Sequence, residues 1–155
     1  MKKIKVLCLL LIIFICTACG SDVSNDSSGV KFCSRVGTID GGDSFMNYEL
    51  HYDGEYLVKL YSTEKVVSDD EELLDTYEDA YKNIFKAYEG LKYYDASVTR
   101  EDGYVISEIV INYEKIDVDK LLSIEGEEDN VTFTDGKLKL DDWLDFAAQF
   151  GVECE

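Results

Sequence analysis

Apolar positions follow three different rhythms along this chain, and each predicts a different kind of structure. The first is an unbroken apolar run from Val6 to Ile15, preceded by Lys2, Lys3 and Lys5 and followed by the small pair Thr17-Ala18. A charged start, an apolar middle and small residues before a cut define a secretion signal, and the run is shorter than the roughly 20 residues of a membrane span. From Gly20 to Gly29 periodicity disappears, leaving small and polar residues that predict a flexible tether. Beyond the tether, alternation of apolar and polar positions begins, and with it the folded part of the chain.

Val30 to Ile39 predicts a strand, Asp40 to Asp43 a turn, and Phe45 to Tyr52 a second strand. In that strand Met46, Tyr48, Leu50 and Tyr52 share one face, while Asn47, Glu49 and His51 share the other. Asp53-Gly54 predicts a tight hairpin with positive φ at both residues, leading into a third strand from Glu55 to Val67. The rhythm then changes. Leu73, Leu74, Tyr77, Tyr81, Ile84, Phe85 and Tyr88 recur at helical spacing, with Ser68 as the expected N-cap, four acidic residues in the first turn and Gly90 at the end. Such an aromatic stripe is expected in the core rather than in a binding groove.

A second hairpin follows, with strands Leu91 to Thr99 and Tyr104 to Tyr113 around Arg100-Glu101-Asp102-Gly103. Val105, Ile109 and Ile111 lie on one side of the later strand and Ile106 and Val110 on the other, which predicts a central strand covered on both faces. Asp117 to Leu122 suggests a short helix, Ser123 to Gly136 an acidic loop, and Leu138 to Phe150 a last helix with Leu140, Trp143, Leu144 and Ala147 inward. The expected order is β-β-β-α-β-β-α. It defines an α+β domain, with two main helices packed on an antiparallel sheet of about five strands.

The cysteines divide by position. Cys19, directly after Thr17-Ala18, resembles the lipobox cysteine of bacterial lipoproteins, with Cys16 where an aliphatic residue is usual. The resemblance implies that the thiol receives a diacylglyceryl group and becomes the new N-terminus. It implies a chain held on the extracytoplasmic face of the cell membrane. Each buried acyl CH₂ contributes about 0.8 kcal/mol, so two chains anchor stably where one anchors marginally. The alternatives are an uncleaved N-terminal anchor and ordinary cleavage after Ala18. Cys8 and Cys16 leave with the signal, so residues 1–18 are the signal peptide, 19–29 the lipidated cysteine and tether, and 30–155 one domain.

Cys33 and Cys154 then remain as an even pair in an exported domain, which predicts one disulfide. A bond closing nearly the whole domain is worth on the order of 5 kcal/mol in the chain-entropy treatment. A catalytic or metal-binding use finds little support, because there is no CxxC spacing and His51 is the only histidine.

Charge narrows the partners. All 33 acidic residues follow Cys19 and three of the 15 basic ones precede it, so twelve basic residues face 33 acidic ones and the domain carries a formal charge of −21. Such a surface repels nucleic acid and favours an envelope protein, a cationic partner or divalent cations. It also serves simply to keep a tethered domain soluble.

The whole pattern resembles the YehR-like group of small bacterial lipoproteins, found mainly in low-GC Gram-positive bacteria. The resemblance rests on Cys19, Cys33, Tyr88-Glu89-Gly90, Ile109 to Tyr113, Ile116-Asp117 and Gly151 to Cys154. Lys139 stands where that group favours a small capping residue. The resemblance implies an envelope lipoprotein and brings no catalytic residues.

The chain offers few chemical motifs. There is no glycine-rich phosphate loop and no second histidine for a zinc motif, and Asp117-Val118-Asp119 fails as an EF-hand because Leu122 occupies the glycine position. Asp69 to Glu72 and Glu125 to Asp129 offer weak calcium sites at most. The expected function is a non-catalytic binding module without cofactor or metal. The alternatives are a small-ligand or Ca²⁺ carrier, with Tyr61 and Tyr93 exposed, and a carboxylate-dependent envelope hydrolase.

Overall fold

The computed structural model describes residues 27–126 and 133–155. Cys19, the signal segment and most of the tether lie outside the described residues, as do Glu127, Glu128 and Asp129. Strands β1 (Gly29–Ile39), β2 (Gly42–Asp53) and β3 (Tyr56–Val67) form a meander, followed by helix α1 (Glu71–Lys86) and the hairpin β4 (Tyr94–Glu101) and β5 (Tyr104–Asn112). Helix α2 (Val118–Glu125), the small hairpin β6 (Phe133–Thr134) and β7 (Lys137–Leu138), helix α3 (Leu140–Gln149) and strand β8 (Glu153–Cys154) complete the chain.

The α+β class with a large antiparallel sheet is as expected, but its details differ. The main sheet has six strands in the order β4-β5-β3-β2-β1-β8, and three helices are present among the described residues. The additional strands β6, β7 and β8 are two residues long, too short for alternation to show. Part of the expected acidic loop is the last turn of α2, and Leu138 belongs to β7 rather than to the last helix.

Three local expectations are corrected. The hairpin turn is Gly54-Glu55, because Asp53 still pairs with Tyr56, and only Gly54 (φ 57°) takes the positive φ that glycine tolerates. The cap of α1 is Asp70, whose carboxylate accepts the Glu72 and Leu73 amides. Ser68 is instead a buried bridge between β3 and the first turn: its hydroxyl donates to the Gly41 carbonyl at 2.5 Å and accepts the Asp70 amide at 2.9 Å. Finally, β5 is central but covered on one face only. Val105, Ser107 and Ile111 are buried, while Ile106 and Val110 remain half-exposed on the other side.

Register fixes which residues share the covered face. Cross-strand partners point the same way, so Arg35, Met46, Glu64 and Ser107 form one row across β1, β2, β3 and β5. Cys33, Tyr48, Ser62 and Ile109 form the next. The opposite face has no covering layer among the described residues, and carries Phe32, Val36 and Phe45 exposed.

Two separate cores form on the covered face. Helix α1 lays Leu74 and Tyr81 on Val66 and Val105. Helix α3 lays Trp143 and Ala147 into a larger cluster with Cys33, Leu50, Leu60, Leu121 and Val152. The rows of Arg35 and Tyr48 lie between the two.

Candidate functional site

Over these middle rows of the sheet, beside the larger core, lies a cavity of about 570 Å³. Its floor is the sheet, with Arg35, Met46, Ser62, Glu64, Ser107 and Ile109. Its walls are largely aromatic: Tyr48, Tyr88, Tyr113, Phe133, Trp143, Phe146 and Phe150, with Glu125 at the end of α2. In the middle of the sheet the sequence places serine and charge at Arg35, Ser62, Glu64 and Ser107.

Charge in the cavity has two centres. At the first, Arg35 and Glu64 act on Tyr48 in opposite senses, and the Tyr48 phenol is raised, first by burial and then by Glu64, with Arg35 opposing. Ser44 donates to Glu64 Oε1 at 3.4 Å. The Tyr81 phenol is likewise raised, first by burial and then by Glu64, although its buried hydroxyl completes no hydrogen bond among the described residues. Arg35 lies alongside its own strand near Gly37 and makes no ion pair among the described residues.

The second centre is Glu125. Its carboxyl is raised by burial, which outweighs the hydrogen bond from Tyr88 Oη to its Oε1 at 3.4 Å. Burial pushes the Tyr88 phenol up to about 12, with Glu125 adding to the shift. Tyr94 and Tyr113 are raised by burial first, with Glu125 again contributing. Tyr88 and Tyr94 stack at 4.3 Å between centroids, and Tyr113 meets Phe133 at 6.0 Å. One carboxylate thus sits amid aromatic rings.

The residues singled out from sequence occupy other places. Cys33 and Cys154 pair across β1 and β8 and form the expected disulfide. Val152, just before β8, lines the cavity, so the bond secures one of its edges. His51 is on the open face, its Nε2 2.6 Å from Glu49 Oε1, away from the cavity. Asp70 is spent on capping α1, and Glu71 pairs with Arg100. Among the described residues no three acidic, histidine or cysteine side chains converge as metal ligands. Tyr93 is exposed, but Tyr61 is half-buried beside Lys59 and His51.

The cavity itself escaped sequence reasoning. Its signal was present: Ser62, Glu64 and Ser107 occupy inward positions of strands whose other inward residues are apolar, and Arg35 continues their row on β1. Polar residues in a row on a buried face mark either a strained core or a cavity.

The architecture defines a class first: an α+β domain in which helices cover one face of an antiparallel sheet. No family model matches the chain, and no curated protein matches it significantly. Among solved structures it is similar to the NMR structure of the Escherichia coli YehR protein, with 18% identity and a TM-score of 0.57, covering 83% of this chain and 91% of that one. It is also similar to the NMR structure of a protein from Streptococcus pneumoniae TIGR4, with 15% identity and a TM-score of 0.52, covering 100% of this chain and 97% of that one. The fold is therefore YehR-like. Among the described residues no helix is long and apolar enough to cross a membrane.

Proposed function

We propose that this protein is an extracytoplasmic lipoprotein, anchored through Cys19, that binds a small and largely apolar molecule in the cavity between the sheet and α3. The observation that carries the binding reading is the cavity, whose 570 Å³ falls within the roughly 300–1,000 Å³ of small-molecule sites and whose few polar groups converge on an apolar space. The anchor is supported by the Lys-rich start, the apolar run and Cys19. The acidic domain, tethered by lipid, stands clear of an anionic leaflet.

Trp143 is the only tryptophan in the sequence and lines the cavity, so its fluorescence reports occupancy. Titrating the full-length protein in a non-ionic maltoside with benzyl alcohol is expected to give a saturable change. A merely linear response, equal to that of free tryptophan in the same micelles, overturns the binding reading. Cys19→Ala is expected to abolish detergent-phase partitioning of the processed chain; unchanged processing and partitioning overturn the anchor.

One observation favours a second reading, carboxylate-dependent hydrolysis. Glu64 and Glu125 line the same cavity, and burial favours the protonated form of Glu125 that a general acid requires. The mostly apolar lining and the nearby Arg35 favour binding over this chemistry.

A further inference from the structure

We infer that the cavity takes an organic cation with an apolar body, such as an aryl-alkyl ammonium, with Glu125 as its counter-charge and aromatic rings as its walls. The inference rests on the binding reading above and adds the charge of the ligand.

Three observations carry it. First, Glu125 is a half-buried carboxylate that no lysine, arginine or histidine pairs with among the described residues. Lys120, one turn earlier on α2, instead directs its ammonium to the Gly90 carbonyl at 3.4 Å. The sequence Glu-Glu-Asp-Asn-Val-Thr after Gly126 brings no cation either. A desolvated carboxylate with one long phenolic hydrogen bond lacks the compensation that such groups ordinarily have.

Second, the rings of the cavity it lines are the right surface for a cation. Tyr88, Tyr113, Phe133 and Trp143 line the same cavity, and the negative face of an aromatic ring attracts ammonium groups, most strongly where water is excluded. Tyr88 and Tyr113 are neutral at physiological pH, as phenols ordinarily are, and burial raises both further. They therefore add ring faces and hydroxyls without adding charge.

Third, the charge balance of the lining is negative. The cavity is lined by one arginine, Arg35, and by two carboxylates, Glu64 and Glu125. The surrounding domain, with twelve basic against 33 acidic residues, raises the local concentration of cations over anions. An anionic ligand would have only Arg35 as its counter-charge, against two carboxylates.

The test compares three probes on the full-length protein in the same maltoside, read by Trp143 fluorescence: benzyltrimethylammonium, uncharged benzyl alcohol and anionic benzenesulfonate. The cation is expected to bind about tenfold more tightly than the alcohol, the factor a desolvated cation–aromatic contact supplies. Glu125→Gln is expected to remove that advantage, and a circular-dichroism spectrum matching wild type shows that the variant is folded. Equal affinity for cation and alcohol, preference for the sulfonate, or an undiminished cation preference in Glu125→Gln overturns the cationic ligand but leaves the cavity reading standing. Failure of all three probes overturns both.

Discussion

Tyr88 Oη reaches Glu125 Oε1 at 3.4 Å, joining the turn after α1 to the last residue of α2 beside the cavity. The bond lowers the Glu125 carboxyl pKa, yet burial wins and the folded value stands above the ordinary one. The phenols around it, Tyr94 and Tyr113, are neutral over this range as phenols ordinarily are, and burial raises them further.

The sign of the resulting pH dependence follows from linkage. A carboxyl with a raised folded pKa binds its proton more tightly in the native state, so stability falls as pH rises from the unfolded value to the folded one, then levels off. Glu125→Gln lacks this loss. Relative to wild type, the variant is expected to be more stable at pH 7 than at pH 3.5, measured as the difference in urea midpoints at the two pH values. A difference independent of pH, or one of opposite sign, contradicts the burial of Glu125.

Cys33 and Cys154 are 121 residues apart in sequence, and β8 pairs with β1 at only two positions. Two ladder pairs do not hold a chain end in place, so the covalent bond positions Val152 in the larger core. The double variant Cys33→Ala, Cys154→Ala is expected to lose about 2–5 kcal/mol in denaturant unfolding under non-oxidising conditions. Native protein is expected to show no free thiol from this pair with a thiol-reactive dye; two reactive thiols contradict the bridge.

At the start of α1, three neighbouring residues have different roles, and substitution separates them. Asp70→Ala removes the carboxylate that accepts the Glu72 and Leu73 amides and is expected to cost about 1 kcal/mol. Ser68→Ala removes a buried hydroxyl that bonds both the Gly41 carbonyl and the Asp70 amide, and is expected to cost about 1–3 kcal/mol. Asp69→Ala, exposed and outside both bonds, is expected to stay within about 0.5 kcal/mol. Chemical unfolding of the three variants gives the ranking.

This same segment shows how much the sequence disclosed. The helical spacing of Leu74, Tyr77 and Tyr81 and the alternation of Met46, Tyr48 and Leu50 were legible, because each follows one element's own period. Ser68 was misassigned as the cap because its role depends on Gly41, a residue 27 positions away that only the β1–β2 turn brings near. Val105, Ile106 and Val110 suggested two covered faces, but the number of helices available to cover a sheet is a property of the whole chain. The cavity was illegible for a related reason. Ser107 between Val105 and Ile109 signals an exception on an apolar face, but that the row continues through Glu64 and Arg35 depends on strand order.

Ser107 also supplies a direct test of the space above the sheet. It is 4% exposed, lies on the cavity floor and makes no side-chain hydrogen bond among the described residues. In a fully packed core, Ser107→Leu forces neighbouring side chains off their rotamers and costs about 1–3 kcal/mol. Into an open cavity the added methylenes bring apolar surface out of water, at about 0.8 kcal/mol per buried CH₂. The variant is therefore expected to be at least as stable as wild type in urea unfolding, and to bind benzyl alcohol several-fold more weakly because its side chain occupies part of the site. Destabilisation with unchanged affinity contradicts the cavity. Equal or higher stability with weakened binding ties the ligand to the floor between the two cores.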